Sequence, residues 1–392
     1  MTVPDIYPRD SLSSLKRING CENVLTPALA IYSDIVDSNI AETIRLLGGT
    51  PARWRPHVKT AKLENTIRQL LAHQIRQFKC ATALELVTLC EAGASDVLVA
   101  FPCVGSRARR LREIALSFPS VRISLTIENR REVDMWGGVN ISMFIDVDPG
   151  MNRTGIHQSK TQEIVDLASH IRAQGARVAG LHYYEGHLRQ PRIEERTIAA
   201  HSGYQQLLKL IGALHHEKFD NLEVVTSGTP TLPCALTFPG FQAEQFVHRV
   251  SAGTVVYNDL VSLSQLPSEW KFDLAALVLA TVISHPAPGI ITCDAGHKVV
   301  SVDSGIPNCA VVGRSDLEPL RPSEEHLPIR VPEGGSIPEI GEVLYLAPKH
   351  ICPTVNNFDE ALLVRSQDIV GVAPVSARGR EAPMRDISQD QP

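Results

Sequence analysis

The stretch Arg55-Pro56-His57-Val58-Lys59-Thr60 decides how the chain is read. Pro56 fixes one φ angle and excludes a helix through this point. Just downstream, Leu63, Ile67, Leu70 and Leu71 recur at helical spacing. Lys59 therefore projects from a strand-to-helix junction, where barrel-type α/β enzymes keep their chemistry. A lysine in such a place becomes an imine-forming nucleophile if dry or cationic surroundings lower its pKa. The plain alternative is a solvated surface lysine, and the rest of the chain has to decide between them.

Working outward, strand-like runs at 28–33, 54–58, 79–82, 96–101, 121–127, 142–148, 177–184 and 222–226 alternate with amphipathic helical segments. Strands alternating with helices mean parallel βαβ units. Eight of them in some two hundred residues predict an α/β fold with an N-terminal (β/α)8 barrel over 24–260. Beyond 260 the texture becomes β-rich, with runs at 274–284, 290–303, 310–312, 328–331, 341–346 and 360–374. These predict a C-terminal all-β domain over 261–376, against which residues 1–23 are expected to pack. The charged, apolar-poor stretch 377–392 reads as a flexible tail.

The chain of 392 residues suits a barrel-sized domain plus a smaller one. Its 43% hydrophobic and 21% charged residues describe a soluble globular protein, and a net charge of -5 gives no reason to expect nucleic acid or an anionic membrane as partner. The N-terminus is polar and proline-broken, unlike a signal peptide, and no apolar run reaches membrane-spanning length. Eight scattered cysteines without a CxxC pair read as reduced thiols, so a cytoplasmic location is expected. Seven of them read as small buried hydrophobes. Cys352 is the exception.

Several strand ends carry polar groups that packing does not need. Asp148-Pro149-Gly150-Met151-Asn152-Arg153-Thr154-Gly155 delivers an arginine on a glycine-bracketed loop. Leu181-His182-Tyr183-Tyr184-Glu185-Gly186-His187 ends the seventh predicted strand, and Ser227-Gly228-Thr229-Pro230-Thr231 ends the eighth. Small hydroxyl residues around glycine supply the backbone N–H groups and short donors a phosphate needs, and Ser251-Ala252-Gly253-Thr254 offers a second such piece. Ordinary turns and a hydrogen-bonded core histidine are the bland readings of the same residues. In Lys349-His350-Ile351-Cys352-Pro353, an extended backbone would turn residues two apart to the same side. Imidazole and thiolate could then converge on one ion of the kind zinc represents, with positions left open for chemistry.

Taken together, the pieces at 55–60, 148–155, 227–231, 252–259, 294–298 and 348–356 resemble the D-serine dehydratase / D-threonine aldolase family, of the alanine-racemase-like, fold-type III pyridoxal phosphate enzymes. The resemblance runs in order from about residue 24 to 372. It implies a barrel carrying pyridoxal 5'-phosphate, a C-terminal β domain with a metal site, and a homodimer. It makes Lys59 the Schiff-base lysine and places Arg153 near the cofactor ring or substrate carboxylate, with Tyr183 beside the ring. Ser227, Gly228, Thr229, Gly253 and Thr254 would hold the phosphate, and His350 and Cys352 the metal. His57, with His187 as competitor, becomes a candidate catalytic base.

Within that family, His-x-Cys with zinc resembles the dehydratases, and His-x-Asp with manganese or magnesium the aldolases. The implied activity is a pyridoxal phosphate- and metal-dependent lyase acting on D-beta-hydroxy amino acids. A dehydratase of D-serine or D-3-hydroxyaspartate, giving a 2-oxo acid and ammonia, comes first. A D-threonine or 3-hydroxy-D-aspartate aldolase is the alternative, and an amino-acid racemase a more distant one. A non-enzymatic pyridoxal phosphate carrier of the single-barrel type would lack the residues beyond 260.

Overall fold

A computed structural model describes residues 17–137, 139–242 and 245–383. Its first sheet runs in parallel through Gln77–Cys80, Asp96–Val99, Arg122–Ile127, Ser142–Asp148, Arg177–Tyr183, Glu223–Thr226 and Val247–Val250. Such strands are buried on both faces, and the runs Asp-Val-Leu-Val and Glu-Val-Val-Thr are buried at every position. The segment around Pro56 closes the barrel as its eighth staff. Trp54 bridges Val250 and His57 bridges Lys79, both in parallel. The amide of Arg55 donates to the Val250 carbonyl at 2.9 Å, and that of Lys79 to the Pro56 carbonyl at 2.9 Å. Pro56 has no N–H to give, so the ladder here is short.

The barrel has eight staves, but not the eight expected. Ala28–Tyr32 leaves the barrel and pairs antiparallel with Ala276–Ala287 and parallel with Glu360–Arg365 in a nine-stranded sheet. Its place is taken by Val247–Val250, a four-residue strand that carries His248 and Arg249. Those polar residues masked a strand signal, while the apolar run at 28–32 declared a strand without declaring its partner.

The nine-stranded sheet is otherwise mostly antiparallel and holds its own apolar core, with Val278, Ile291, Leu327, Ile329 and Leu346 all buried. The predicted strand over 290–303 stops at Cys293, and the remainder forms turns and bends without a further strand. Ile18 packs in the second sheet's core, and its amide donates to the Tyr345 hydroxyl at 2.9 Å. The expected tail begins later than 377. Ala377 is buried, and its amide donates to the Lys62 carbonyl at 3.0 Å. Residues 1–16 and 384–392, which carried parts of the N-terminal and tail expectations, lie outside the described residues. No helix of the described residues is long and apolar enough to cross a membrane.

Candidate active site

The loops at the C-terminal end of the barrel strands meet the nine-stranded sheet around a cavity of about 410 Å³. The barrel contributes His57, Lys59, Lys79, Tyr184, Gly228, Thr229, Ser251, Gly253 and Thr254 to its lining. His350, Cys352 and Asp303 line it from the other side. Three basic side chains surround one ring. The Lys59 Nζ lies 5.9 Å from the centroid of Tyr184, the Lys79 Nζ 5.5 Å and the Arg153 guanidinium 4.8 Å.

Lys59 follows the closing strand, and its amide donates to His57 Nδ1 at 3.3 Å. Burial, then the charges of Lys59 and Lys79, hold the His57 imidazole well below its ordinary pKa, so it is a neutral base. Arg153 is set by its loop. One oxygen of Asp148 accepts the amides of Gly150, Met151 and Asn152 at 3.0, 2.8 and 3.1 Å, which curls the loop and turns Arg153 toward Tyr184.

Tyr183 is not beside this space. It is buried, donates its hydroxyl to Gln158 at 3.0 Å, and lines a separate cavity of about 130 Å³ together with His187. Alternation is the reason. His182 points inward from the strand, so the residue two further on shares its face and Tyr183 does not. Tyr184 takes the position beside the lysines, and His187 is removed from competition as a base at this cavity.

The small-residue loops fit a phosphate. Ser227 Oγ, Thr229 Oγ1 and Ser251 Oγ are buried, with no hydrogen-bond partner among the described residues. A buried hydroxyl left unpaired costs roughly 1–3 kcal/mol, so Thr229 and Ser251 in the cavity lining, with Ser227 next to the lining residue Gly228, mark a place shaped for a ligand with oxygen acceptors. Ser227 also holds a left-handed φ of 62°. Its amide is tied to Glu185 Oε2 at 3.2 Å, which fixes that strained turn. Gly253 has a different reason from the expected one. A Cβ there would stand 2.2 Å from the His57 carbonyl oxygen, so glycine is required where this loop passes the closing strand.

His350 and Cys352 do converge, though not on an extended backbone. His350 precedes a short helix, Ile351–Val355, and Cys352 lies in its first turn. His350 Nδ1 is 2.6 Å from Asp303 Oδ2, which leaves Nε2 for the cavity. Burial pushes the Cys352 thiol up, but the hydrogen bond to His350 and the charge of Lys59 outweigh it and hold the thiol below its ordinary range. Its sulfur is 3.0 Å from Thr60 Oγ1. An imidazole nitrogen and a thiolate-prone sulfur fit a soft divalent ion with open positions. Among the described residues, no group of three His, Cys, Asp or Glu joins to complete a protein cage.

Sequence reading missed Lys79, Tyr184, Asp259 and Asp303. Asp259 caps the helix Leu260–Gln265 through the Ser262 amide at 2.7 Å, and its other oxygen accepts the Ile351 amide at 3.0 Å. It thereby ties the barrel's end to the His350–Cys352 turn. Strand alternation could have found Tyr184, and the lysine between Phe78 and Cys80 in a barrel strand could have found Lys79. Asp303 had no local signal, since it meets His350 from 47 positions away.

With this geometry in hand, likeness to known proteins becomes informative. The model of the family "Alanine racemase, N-terminal domain" matches residues 31–260, and that of the "Putative serine dehydratase domain" matches 275–364. A D-threonine aldolase of Arthrobacter sp. is 27% identical over 90% of this chain and 93% of its own. A D-threo-3-hydroxyaspartate dehydratase of Delftia sp. is 25% identical over 71% of this chain and 73% of its own. Among solved structures, the D-threonine aldolase of Filomicrobium marinum superposes with a TM-score of 0.82 at 24% identity, over 93% of this chain and 99% of that one, which shows a common fold. A barrel whose closing strand delivers Lys59, joined to a β domain that delivers His350 and Cys352, is thus accounted for: the chain belongs to the alanine racemase N-terminal domain family, in the group of pyridoxal phosphate-dependent lyases that carry the serine dehydratase domain.

Proposed function

We propose that this lyase is a dehydratase of D-beta-hydroxy amino acids of the D-serine and D-3-hydroxyaspartate type, releasing a 2-oxo acid and ammonia. The observation that carries the reading is Cys352. Cys352, paired with His350, lines the cavity that Lys59, Thr229 and Ser251 also line. Pyridoxal phosphate, when bound, supplies the electron sink for charge left on Cα. Lys59 would carry it, with the phosphate against Ser227, Gly228, Thr229, Gly253 and Thr254 and the ring beside Tyr184. Zinc, held by His350 Nε2 and Cys352 Sγ, would supply a Lewis acid for the β-hydroxyl.

The chain's own groups divide the remaining work. Lys59 takes the Cα proton. Arg153, above the Tyr184 ring, orients a carboxylate or the ring. Asp303 holds the His350 ring in one orientation, and the Thr60 hydroxyl, bonded to Cys352 Sγ, fixes the sulfur. His57, neutral and next to Lys59, stands ready to accept a proton from the β-hydroxyl. That last feature, with the aldolase names of relatives covering nine-tenths of the chain, favours the second reading, cleavage of Cα–Cβ to glycine and an aldehyde with manganese or magnesium as the metal. For the metal, one structural neighbour is a metal-free cysteine-to-alanine variant of D-threo-3-hydroxyaspartate dehydratase. We also propose a homodimer in the cytoplasm.

The test is to incubate purified enzyme with D-serine, D-threonine and both D-3-hydroxyaspartate diastereomers and to assay 2-oxo acid, ammonia and glycine. Ammonia with 2-oxo acid supports dehydration. Glycine without ammonia establishes the aldolase.

A further inference from the structure

Lys79 has no part in the division of labour above. It belongs to the strand Gln77–Cys80, is 3% exposed and lines the cavity floor. Another buried lysine, Lys62, has a carboxylate, Glu85, at 2.8 Å. Lys79 has none in hydrogen-bond reach among the described residues. Its Nζ stands 3.4 Å from His182 Nε2, while His182 Nδ1 is 2.7 Å from Asp146 Oδ1. The other Asp146 oxygen accepts the Thr154 hydroxyl at 2.8 Å. With Nδ1–H donating to the carboxylate, the neutral His182 presents the Nε2 lone pair to Lys79. An amine, a base in reach of it and a carboxylate that orients the base form an activation triad.

The charges facing Lys79 come from every neighbouring strand end. Lys59 and Arg153 oppose a positive charge there, Asp146 and Glu185 favour one, and the neutral His57 and His182 add none. Burial first, and then Lys59, pull the Lys79 amine down to about 7. Lys59 stands at the same Tyr184 ring, so its charge bears directly on the buried Lys79 amine. When Lys59 is positive, Lys79 is driven neutral. When Lys59 is uncharged, Lys79 binds a proton more readily.

We propose that Lys79, oriented by His182 and Asp146, is a second acid–base residue of the active site, exchanging with Lys59 the proton taken from Cα. The step breaks an N–H bond on the Lys59 ammonium and forms one on the Lys79 amine. Lys59 recovers its lone pair, the positive charge moves to the cavity floor, and nothing is oxidised or reduced. The proposal rests on the lyase reading only in that Lys59 is the Cα base.

The experiment uses holoenzyme and D-alanine, which has no β-hydroxyl to lose, and follows deuterium entry at Cα from D2O by NMR. Lys79→Met and Lys79→Arg should both keep the visible imine band and slow exchange about a hundredfold at neutral pH, since a guanidinium never gives up its proton. Both should also lose the pH limb near neutrality. Exchange at the wild-type rate with the wild-type pH profile in Lys79→Met overturns the proposal.

Should these variants fail to fold, His182→Leu leaves Lys79 in place but removes the acceptor for its ammonium form. The limb should then move to lower pH, and an unmoved limb overturns the proposal. In cofactor-free protein, competitive acylation read by peptide mass spectrometry should titrate Lys79 near neutrality, and Lys59→Met should raise that midpoint. A midpoint indifferent to Lys59 also overturns it. A wild-type enzyme that binds pyridoxal phosphate but exchanges no D-amino acid brings down the lyase reading itself, an outcome distinct from wild-type exchange that Lys79 variants leave untouched.

Discussion

The two ends of the barrel both bury charge, and they treat it oppositely. At the N-terminal end Arg55 is fully buried. It donates to Glu223 at 2.6 and 3.0 Å, to Asp96 at 3.0 and 3.1 Å, and to the Phe78 carbonyl at 3.1 Å. All five guanidinium donors are used. At the C-terminal end, among the described residues, Lys79 has an imidazole nitrogen as its hydrogen-bond partner and no carboxylate, and three hydroxyls have no partner. Saturated pairing closes a question of stability. Unsaturated pairing at the same depth is tolerable where a ligand completes it. The contrast separates Arg55, a structural cation, from Lys79, a chemical one, without appeal to any likeness; Arg249, 3.1 Å from Glu223, is held there by charge while two of its nitrogens make no hydrogen bond among the described residues.

The largest effect expected at the chemical end is from Lys59→Ala, a loss of turnover on the order of 10⁴-fold together with the visible imine band. Borohydride reduction and peptide mapping check it directly. A pyridoxyl group on Lys79 in the wild-type protein would reverse the roles of the two amines. At the structural end, Arg55→Met leaves Asp96 and Glu223 buried without their shared cation and should cost about 3–5 kcal/mol in urea unfolding. Substrate KM in the folded fraction should stay as it was. An Arg55→Met protein of wild-type stability would erase the distinction between the ends.

Next in size is the β-domain wall. Chelation, or Cys352→Ser, should reduce β-hydroxyl elimination about a hundredfold while the imine spectrum stays intact, because the metal acts on the leaving group. Zinc should restore the chelated enzyme better than magnesium. Full activity after exhaustive chelation would favour the racemase alternative.

A finer test lies in the unpartnered hydroxyls. Thr229→Val and Ser251→Ala should each weaken pyridoxal phosphate binding about tenfold, as loss of a hydrogen bond to a charged group does. The cofactor-free protein should be no less stable, since an orphaned donor has been removed. Lost stability in the cofactor-free form would show these hydroxyls to be structural. Gly253→Val is the poorer probe of the phosphate, because its first collision is with the His57 carbonyl.

The smallest effect concerns acid. Burial alone would raise the Asp96 carboxyl, but Arg55, with Arg122 beside it, holds it below its ordinary value. A folded pKa below the unfolded one contributes stability above the ordinary carboxylate range, and that contribution is lost as pH falls through the folded value. Urea midpoints should therefore drop below about pH 4, and Arg55→Met should flatten the drop.

What the sequence determined by itself is local. Pro56 before Lys59, the alternation of strands and helices, the glycine-bracketed Arg153, and the neighbours His350 and Cys352 are all short-range patterns, readable because backbone geometry repeats every two or 3.6 residues. Tertiary structure decided which strands closed the barrel. Ala28–Tyr32 and Val247–Val250 exchanged places because pairing depends on distant partners: Ala28 meets Leu279, and Val250 meets Trp54. It also decided that Tyr184 rather than Tyr183 meets the lysines, that Asp303 and Asp259 hold the His350–Cys352 turn, and that Lys79 shares a cavity with Lys59. These are matters of burial and electrostatic company, which exist only once distant segments have been brought together.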